Sequence, residues 1–246
     1  MLNIDTKITF LGHATLLMQT PGGKRILIDP WTLGNPACPD AYKPIESLGE
    51  IDFVLITHLH NDHVGDAVEI LMANPKAYAV CVPEVHAWLA SKGVTAVHEM
   101  NIGGTLALSE GLSVSMTLAI HTSSFTELDG TVVQGGQPVG YAIHLENGVT
   151  VYDAGDTAVF SDMSIIRELY HPQVAILPIG DHYTMGPKAA ALAAGLLGVS
   201  VVIPIHYGTF PVLTGTPNAL SEYLKQAEAG APDVQVIPIA PGETVG

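Results

Sequence analysis

Short runs rich in Val, Ile, Leu and Tyr, punctuated by Gly or Pro, recur along the whole chain: "KITFLG", "RILIDP", "IDFVLITH", "AYAVCVP", "LSVSMTLAIH", "VGYAIHL", "GVTVYDAGD", "VAILPIG", "VVIPIHYG" and "VQVIPIA". Their length and β-branched content predict strands. Helical spacing of apolar residues appears over 64–73, 84–91, 162–170, 187–197 and 217–229, with Ser161 or Asp162 placed to cap the third and Pro187 suited to the first turn of the fourth. "HLENGVTVYD" reads as a hairpin, because Asn147-Gly148 supplies the positive φ of a tight turn. Residues 32–49, with Pro36, Pro39 and Pro44, read as a long loop placed to overhang a site.

Strands and helices alternate without a low-complexity linker or a short repeat, so the expected organisation is a single α/β domain over residues 1–246. The hairpins require a mixed sheet and exclude a purely parallel doubly wound fold. At 246 residues the chain can bury a substantial core. No apolar run approaches the ~18 residues of a membrane span. The first residues, "MLNID", lack the basic and apolar pattern of a secretory signal. Cys38 and Cys81 are too few for a disulfide framework, which fits a cytoplasmic protein.

Net charge narrows the partners. Twenty-four acidic residues against 9 Lys and Arg give −15, and the densest basic pair, Lys24-Arg25, opens a strand. Phosphate neutralisation needs clustered cations, so nucleic acid is not an expected partner. A small-molecule substrate is, and the apolar composition is compatible with a homo-oligomer.

Candidate chemistry sits where apolar runs end. Asp29, His58, His121, Asp156 and His206 each follow a strand-like run, and ligands of open α/β sheets gather beyond the carboxyl ends of strands. "LITHLHNDHVGD", residues 55–66, adds His60, Asp62 and His63 to His58. A tight strand-to-helix loop there can point His58 and His60 to one side and Asp62 and His63 to the other, so that one loop serves two ions. Imidazole suits Zn²⁺, Fe and Mn, and a carboxylate can bridge two cations. Buried without such compensation, these groups would be costly.

The sequence resembles the metallo-β-lactamase superfamily, whose H-x-H-x-D-H signature is met by His58, His60, Asp62 and His63, with Asp29, His121, Asp156 in "DAGDT" and His206 in "PIHYGTF" following in order. "FLGHATLLM", "AIHTSS", "ILPIGDHYTMGP" and "IPIHYGTFP" are similar to a branch of metal-dependent hydrolases related to the L-ascorbate-6-phosphate lactonase group. The resemblance implies an αβ/βα four-layer sandwich of two mixed β-sheets. It places His58, His60 and His121 on one divalent ion, Asp62, His63 and His206 on a second, and Asp156 between them. Asp29 would orient the histidine loop. Zn²⁺ is the first expectation for both ions and Mn²⁺ the second. The implied reaction is hydrolysis of a small ester, lactone or phosphoester by a metal-activated hydroxide, oriented by Asp62.

His13, in "LGHAT", would stabilise an oxyanion, protonate a leaving group, or serve as a structural histidine. Asp181 and His182 would line the pocket, and Tyr207 would donate to substrate or pack on its strand. Ser123 and Ser124 read as loop groups. His60 stands where the flavin-linked di-iron members of the superfamily carry glutamate, which disfavours redox chemistry. Scarce Lys and Arg favour neutral or apolar substrates over phosphoesters. The competing readings are a phosphodiesterase and a metal-binding scaffold or sensor without turnover.

Overall fold

The computed structural model describes residues 4–226 and 233–246. Its first sheet is built from β1 (Lys7–Phe10), β2 (Leu16–Gln19), β3 (Arg25–Ile28), β4 (Phe53–Leu55), β5 (Tyr78–Cys81) and β6 (Val97–Glu99), closed at one edge by β16 (Thr244–Val245). The second sheet contains β7 (Thr105–Ser109), β8 (Leu112–Leu118), β11 (Val139–His144), β12 (Thr150–Asp153), β13 (Val174–Pro178), β14 (Val201–Ile205) and β15 (Gln235–Val236). A small hairpin, β9 (Ser124–Thr126) with β10 (Val132–Gln134), stands apart from both.

Each sheet is antiparallel on one side and parallel on the other. The first runs antiparallel from β16 to β3 and parallel from β3 to β6. The second runs antiparallel from β7 to β12 and parallel from β12 to β15. This is the mixed-sheet sandwich expected from the sequence.

Period-2 alternation explains the layering. Along the second sheet Val151, Val174, Ile176, Ile203 and Ile205 join the core shared with the first sheet. Their neighbours Tyr152, Ala175, Leu177 and Val202 join a separate core. That outer core is completed by α4 (Met163–Tyr170), α5 (Pro187–Leu197) and α6 (Pro217–Lys225). On the other side α2 (Ala67–Ala73) and α3 (Pro83–Ser91) pack their buried residues into the shared core. Each fully buried Leu, Ile or Val contributes on the order of 2 kcal/mol.

The elements depart from the sequence pattern at identifiable points. The helix expected over 64–73 is two, α1 (Asn61–Val64) and α2. Gly65 lies against Trp31, where a Cβ would come within 2.6 Å of the ring. The Asp66 carboxylate accepts the backbone N–H groups of Thr32 and Leu33. The chain bends there to hold the long loop. That loop contains two 3-10 turns, at Asp40–Tyr42 and Ile45–Leu48, and does not line the main cleft. Asp162 occupies the cap position of α4 without a side-chain capping bond. The last part of the helix expected over 217–229, residues 227–229, lies outside the described residues. Among the described residues no helix is long and apolar enough to cross a membrane.

Candidate metal centre

The parallel halves of both sheets end at the same edge. β3 delivers Asp29 and β4 delivers Thr57 and His58, while β12 leads to Asp156 and β14 to His206. His58 and His60 stand before helix α1, with His60 extended at φ −92°, ψ 149°, whereas Asp62 and His63 lie within its single turn. That change of backbone from extended to helical is what splits the motif between two directions.

Asp29 organises the loop. Its carboxylate accepts the Thr57 N–H at 2.8 Å, the Thr57 hydroxyl at 2.7 Å and His63 Nδ1–H at 2.7 Å. Because Thr57 donates its proton to Asp29, its oxygen accepts His58 Nδ1–H at 2.9 Å. One carboxylate thereby fixes the tautomers of two histidines and leaves both Nε2 atoms facing the cluster. Three non-glycine residues adopt left-handed backbone here: Asp29 (φ 46°), His13 (φ 57°) and His206 (φ 56°). Such conformations cost of order 1–3 kcal/mol and persist only where the surroundings hold them. The His206 N–H donates to the His13 carbonyl at 2.7 Å and ties the two sheets together.

Asp156 is the centre of the cluster. Its Oδ2 lies 3.0 Å from His206 Nε2, 3.3 Å from His63 Nε2, 3.6 Å from His121 Nε2 and 4.0 Å from His58 Nε2. This approach depends on Gly155 (φ 58°), where a Cβ would meet the Val139 carbonyl at 2.8 Å and Thr57 Cβ at 2.9 Å. Donor atoms fall into three overlapping groups, each within 4.8 Å: His58, His60 and His121; His13, Asp62, His63 and His206; and Asp29, His58 and His63.

Burial disfavours charge throughout, and the partners decide where it remains. His58 is held well below the ordinary histidine range by burial and by neighbouring His63. Burial, then His121 for His60 and the other histidines for His121, lowers those two as well. Burial also works against charge on His63, but Asp156 and Asp29 outweigh it and raise its pKa well above the usual value. Burial opposes ionisation of Asp156, yet His206 and His63 hold it well below the carboxylate range. The two carboxylates thus favour the protonated form of His63, and a cation bound there would compete with that proton.

The donor set fits divalent cations. Imidazole nitrogens and carboxylate oxygens converge, and His63 Nε2 and Asp156 Oδ1 are buried with no hydrogen-bond partner among the described residues. Such orphaned atoms are costly unless something else pairs with them.

The remaining expected residues divide. His13 is completely buried, with Nε2 3.0 Å from Asp62 Oδ2 and Nδ1 3.0 Å from Thr209 Oγ1. It is not among the residues lining the main cleft and reaches it through its contact with Asp62, packed against the His206 ring at 3.9 Å between centroids. Burial lowers its pKa to about 4, with the Asp62 hydrogen bond opposing, which leaves a neutral ring. Thr209 then donates to Nδ1, and Nε2–H donates to Asp62. That bond overcomes the effect of burial and holds Asp62 below the usual carboxylate range.

Asp181 lines a neighbouring cleft of about 620 Å³ with Lys188. His182 is exposed and lines neither, and Tyr207 packs against the core beneath α5 and α6. Side-chain direction at the left-handed Asp181 and His182 (φ 65° and 61°) could not be read from residue type. Ser123 Oγ accepts the Leu59 N–H at 3.0 Å and holds the histidine loop.

The main cleft, about 640 Å³, is floored by His60, Asp62, His121, Asp156 and His206. Its walls are residues the motif search passed over: Thr122, Tyr183 and the segment Phe210-Pro211-Val212. A signal existed for the last, since "YGTFPV" directly follows His206. Asp153, the first acid of "DAGDT", was also missed. It is buried, with Oδ1 accepting the Gly155 N–H at 2.9 Å and Oδ2 unpartnered among the described residues. Burial, then the nearby charge of Asp29, raises its pKa to about 7.

Two facing mixed sheets with outer helices and a histidine–aspartate cluster along one edge define a metallo-β-lactamase-type architecture. Residues 24–207 match the family described as the beta-lactamase superfamily domain. The chain is 51% identical over 239 residues to a UPF0173 metal-dependent hydrolase of Koribacter versatilis (strain Ellin345), covering 97% of each. It is 45% identical over 241 residues to one of Methanopyrus kandleri, covering 97% of this chain and 98% of that one. Among solved structures it superposes on Igni18, a metallo hydrolase from the hyperthermophilic archaeon Ignicoccus hospitalis KIN4/I, with TM-score 0.83, 38% identity and coverage of 98% and 97%. It shares its fold with an isothiocyanate hydrolase from Delia radicum gut bacteria, at TM-score 0.73 and 22% identity, covering 98% of each. The chain belongs to the beta-lactamase superfamily and, within it, to the UPF0173 metal-dependent hydrolases.

Proposed function

We propose that this chain is a two-cation hydrolase of small esters or lactones, working as one catalytic domain to which both sheets contribute donors. The observation that carries the reading is the position of Asp156, whose Oδ2 lies within 4.0 Å of Nε2 atoms from four histidines. His58, His60 and His121 would hold one cation and Asp62, His63 and His206 the other, with Asp156 shared. Five imidazoles and two carboxylates suit Zn²⁺ first and Mn²⁺ second. When bound, the cations lower the pKa of water and polarise the substrate carbonyl.

The chain's own residues supply the rest. Asp29 holds His63 directly and His58 through Thr57, so both rings are oriented before substrate arrives. His13 donates Nε2–H to Asp62 Oδ2 and keeps that carboxylate ionised, so that it would serve as an anionic ligand and accept a hydrogen bond that orients the attacking water. The water oxygen bonds to the acyl carbon, the acyl C–O bond breaks, and the proton passes to the departing alkoxide. Tyr183, Phe210 and Val212 wall the cleft.

The test is metal analysis followed by turnover of ester, lactone and phosphodiester panels. About two equivalents of metal per chain, with ester or lactone turnover abolished in His58→Ala, is the expected result. Two equivalents without turnover on any panel would instead assign a metal-binding scaffold.

A further inference from the structure

Resting on the hydrolase reading above, we infer that the substrate is an uncharged carboxylic ester or lactone with an apolar acyl chain that lies along Phe210, Pro211 and Val212. The cleft is polar at its floor and apolar on this wall. Phe210 is fixed from behind: its ring centroid is 5.5 Å from that of His13 and 6.2 Å from that of Trp31. The Leu213 N–H closes a turn onto the Phe210 carbonyl at 3.0 Å. The wall is therefore held in place before a ligand arrives, which limits the ordering cost of binding.

Of the other lining groups, Val212 is 43% exposed and Tyr183 58% exposed. Both leave apolar surface for a ligand to cover. Among the described residues no lysine or arginine lines this cleft, whereas Lys188 lines a different one. Sites built for phosphoryl groups supply Arg, Lys or helix N-termini to the non-bridging oxygens. Here the formally charged lining groups other than histidines are Asp62 and Asp156. A phosphodiester would thus depend on the cations alone for its charge, within a chain of net −15. A neutral carbonyl needs no such neutralisation, and its chain gains contact with the wall. Hydrolysis adds the water oxygen to the acyl carbon and its proton to the alkoxide, giving an acid and an alcohol with no oxidant or reductant.

The experiment uses the metal-loaded protein with p-nitrophenyl acetate, butyrate and hexanoate and with bis(p-nitrophenyl) phosphate. Binding of acetate and hexanoate is measured alongside by calorimetry. Full burial of a methylene is worth about a fourfold gain, and a wall covering one side of the chain about half of that on a logarithmic scale. Hexanoate, with four more methylenes, should therefore bind, and its ester react, about sixteenfold better than acetate. In Val212→Asp that ratio should fall to about one while metal content stays at the wild-type level. Turnover with no chain-length dependence, or with a ratio untouched by Val212→Asp, overturns the acyl-wall assignment and leaves the hydrolase reading intact. A kcat/KM for the phosphodiester above that for the hexanoate ester overturns the substrate class. No turnover of any substrate by protein carrying two metal equivalents overturns both readings.

Discussion

The back and the front of the cleft obey different rules. At the back, Asp29, His13, His63, Asp153 and Asp156 are buried, hydrogen-bonded or charge-paired, and hung on a backbone with several left-handed residues. At the front, His60 and His121 are only partly buried, and Tyr183 and Val212 are open to solvent. The back spends stability to fix donor atoms, since burying charge and holding strained φ values are both unfavourable. The front costs the fold little and is free to vary with substrate. Changes at the back should accordingly remove metal or alter stability, and changes at the front should alter selectivity.

The most damaging substitution should be Asp156→Ala. It removes the carboxylate that lies within 4.0 Å of four histidine Nε2 atoms and is proposed to serve both cations, so both cations should be lost. Metal analysis should read well under one equivalent, and kcat/KM should fall about a thousandfold or more. Retention of two equivalents would break the assignment of Asp156 as the shared group.

Asp153 sharpens the contrast within the back itself. It lies three positions before Asp156, yet the two acids take opposite states. Asp156 faces histidines and stays ionised, whereas Asp153 faces Asp29 and the core and keeps its proton up to about pH 7. In the unfolded chain its pKa returns to the ordinary carboxylate value of 3.8. Between those values the unfolded chain has lost a proton that the native chain retains, so this group lowers stability as pH rises and its penalty levels off above pH 7. Asp153→Asn keeps the Oδ1 acceptor for Gly155 and removes the titration. In chelated protein it should be more stable than wild type at pH 8, by up to about 4 kcal/mol, and similar at pH 4. Urea unfolding at the two pH values measures this. Equal curves at pH 8 would show Asp153 ionising freely.

Asp29→Asn tests how orientation reaches the two donor groups. The variant loses the ionised acceptor for His63 Nδ1–H and, through Thr57, the anchor of His58. Outer-partner substitutions of this kind cost about 10- to 100-fold in metal affinity. The directly held His63 group should lose more than the His58 group, which competition with a chelator resolves as two steps drawing apart or together. His121→Ala, on the open side, should remove one equivalent and spare the other. Loss of both would mean that back and front are a single cooperative unit.

Much of this was legible because the chemistry lies close in sequence to strong periodic signals. The runs ending at Asp29, His58 and His206 are near-continuous Val, Ile and Leu stretches, as strands buried on both faces must be. The H-x-H-x-D-H spacing then fixes four donors within one loop. What escaped depends on third parties. The helix break at Gly65 is set by the Trp31 ring, and the inward turn of His13 by a left-handed residue packed beside Phe210. The apolar wall follows His206 with no periodicity to mark it. The β9–β10 hairpin is short and carries mostly exposed or half-exposed residues, so it left little hydrophobic pattern.

The smallest effect expected lies at the boundary between the regions. Tyr207 adjoins His206 in sequence, and its hydroxyl has the chemistry to donate to a substrate oxygen. Its ring instead packs on the core beneath α5 and α6, and burial raises the phenol pKa above its ordinary value. Tyr207→Phe removes only the hydroxyl and preserves that packing, so kcat/KM on any ester should change by less than about twofold. A hydrogen bond to substrate is worth about 1 kcal/mol, or roughly fivefold. A fall of fivefold or more with KM unchanged would mean that the hydroxyl engages the transition state, and that the polar region of the cleft reaches past His206 toward the apolar wall.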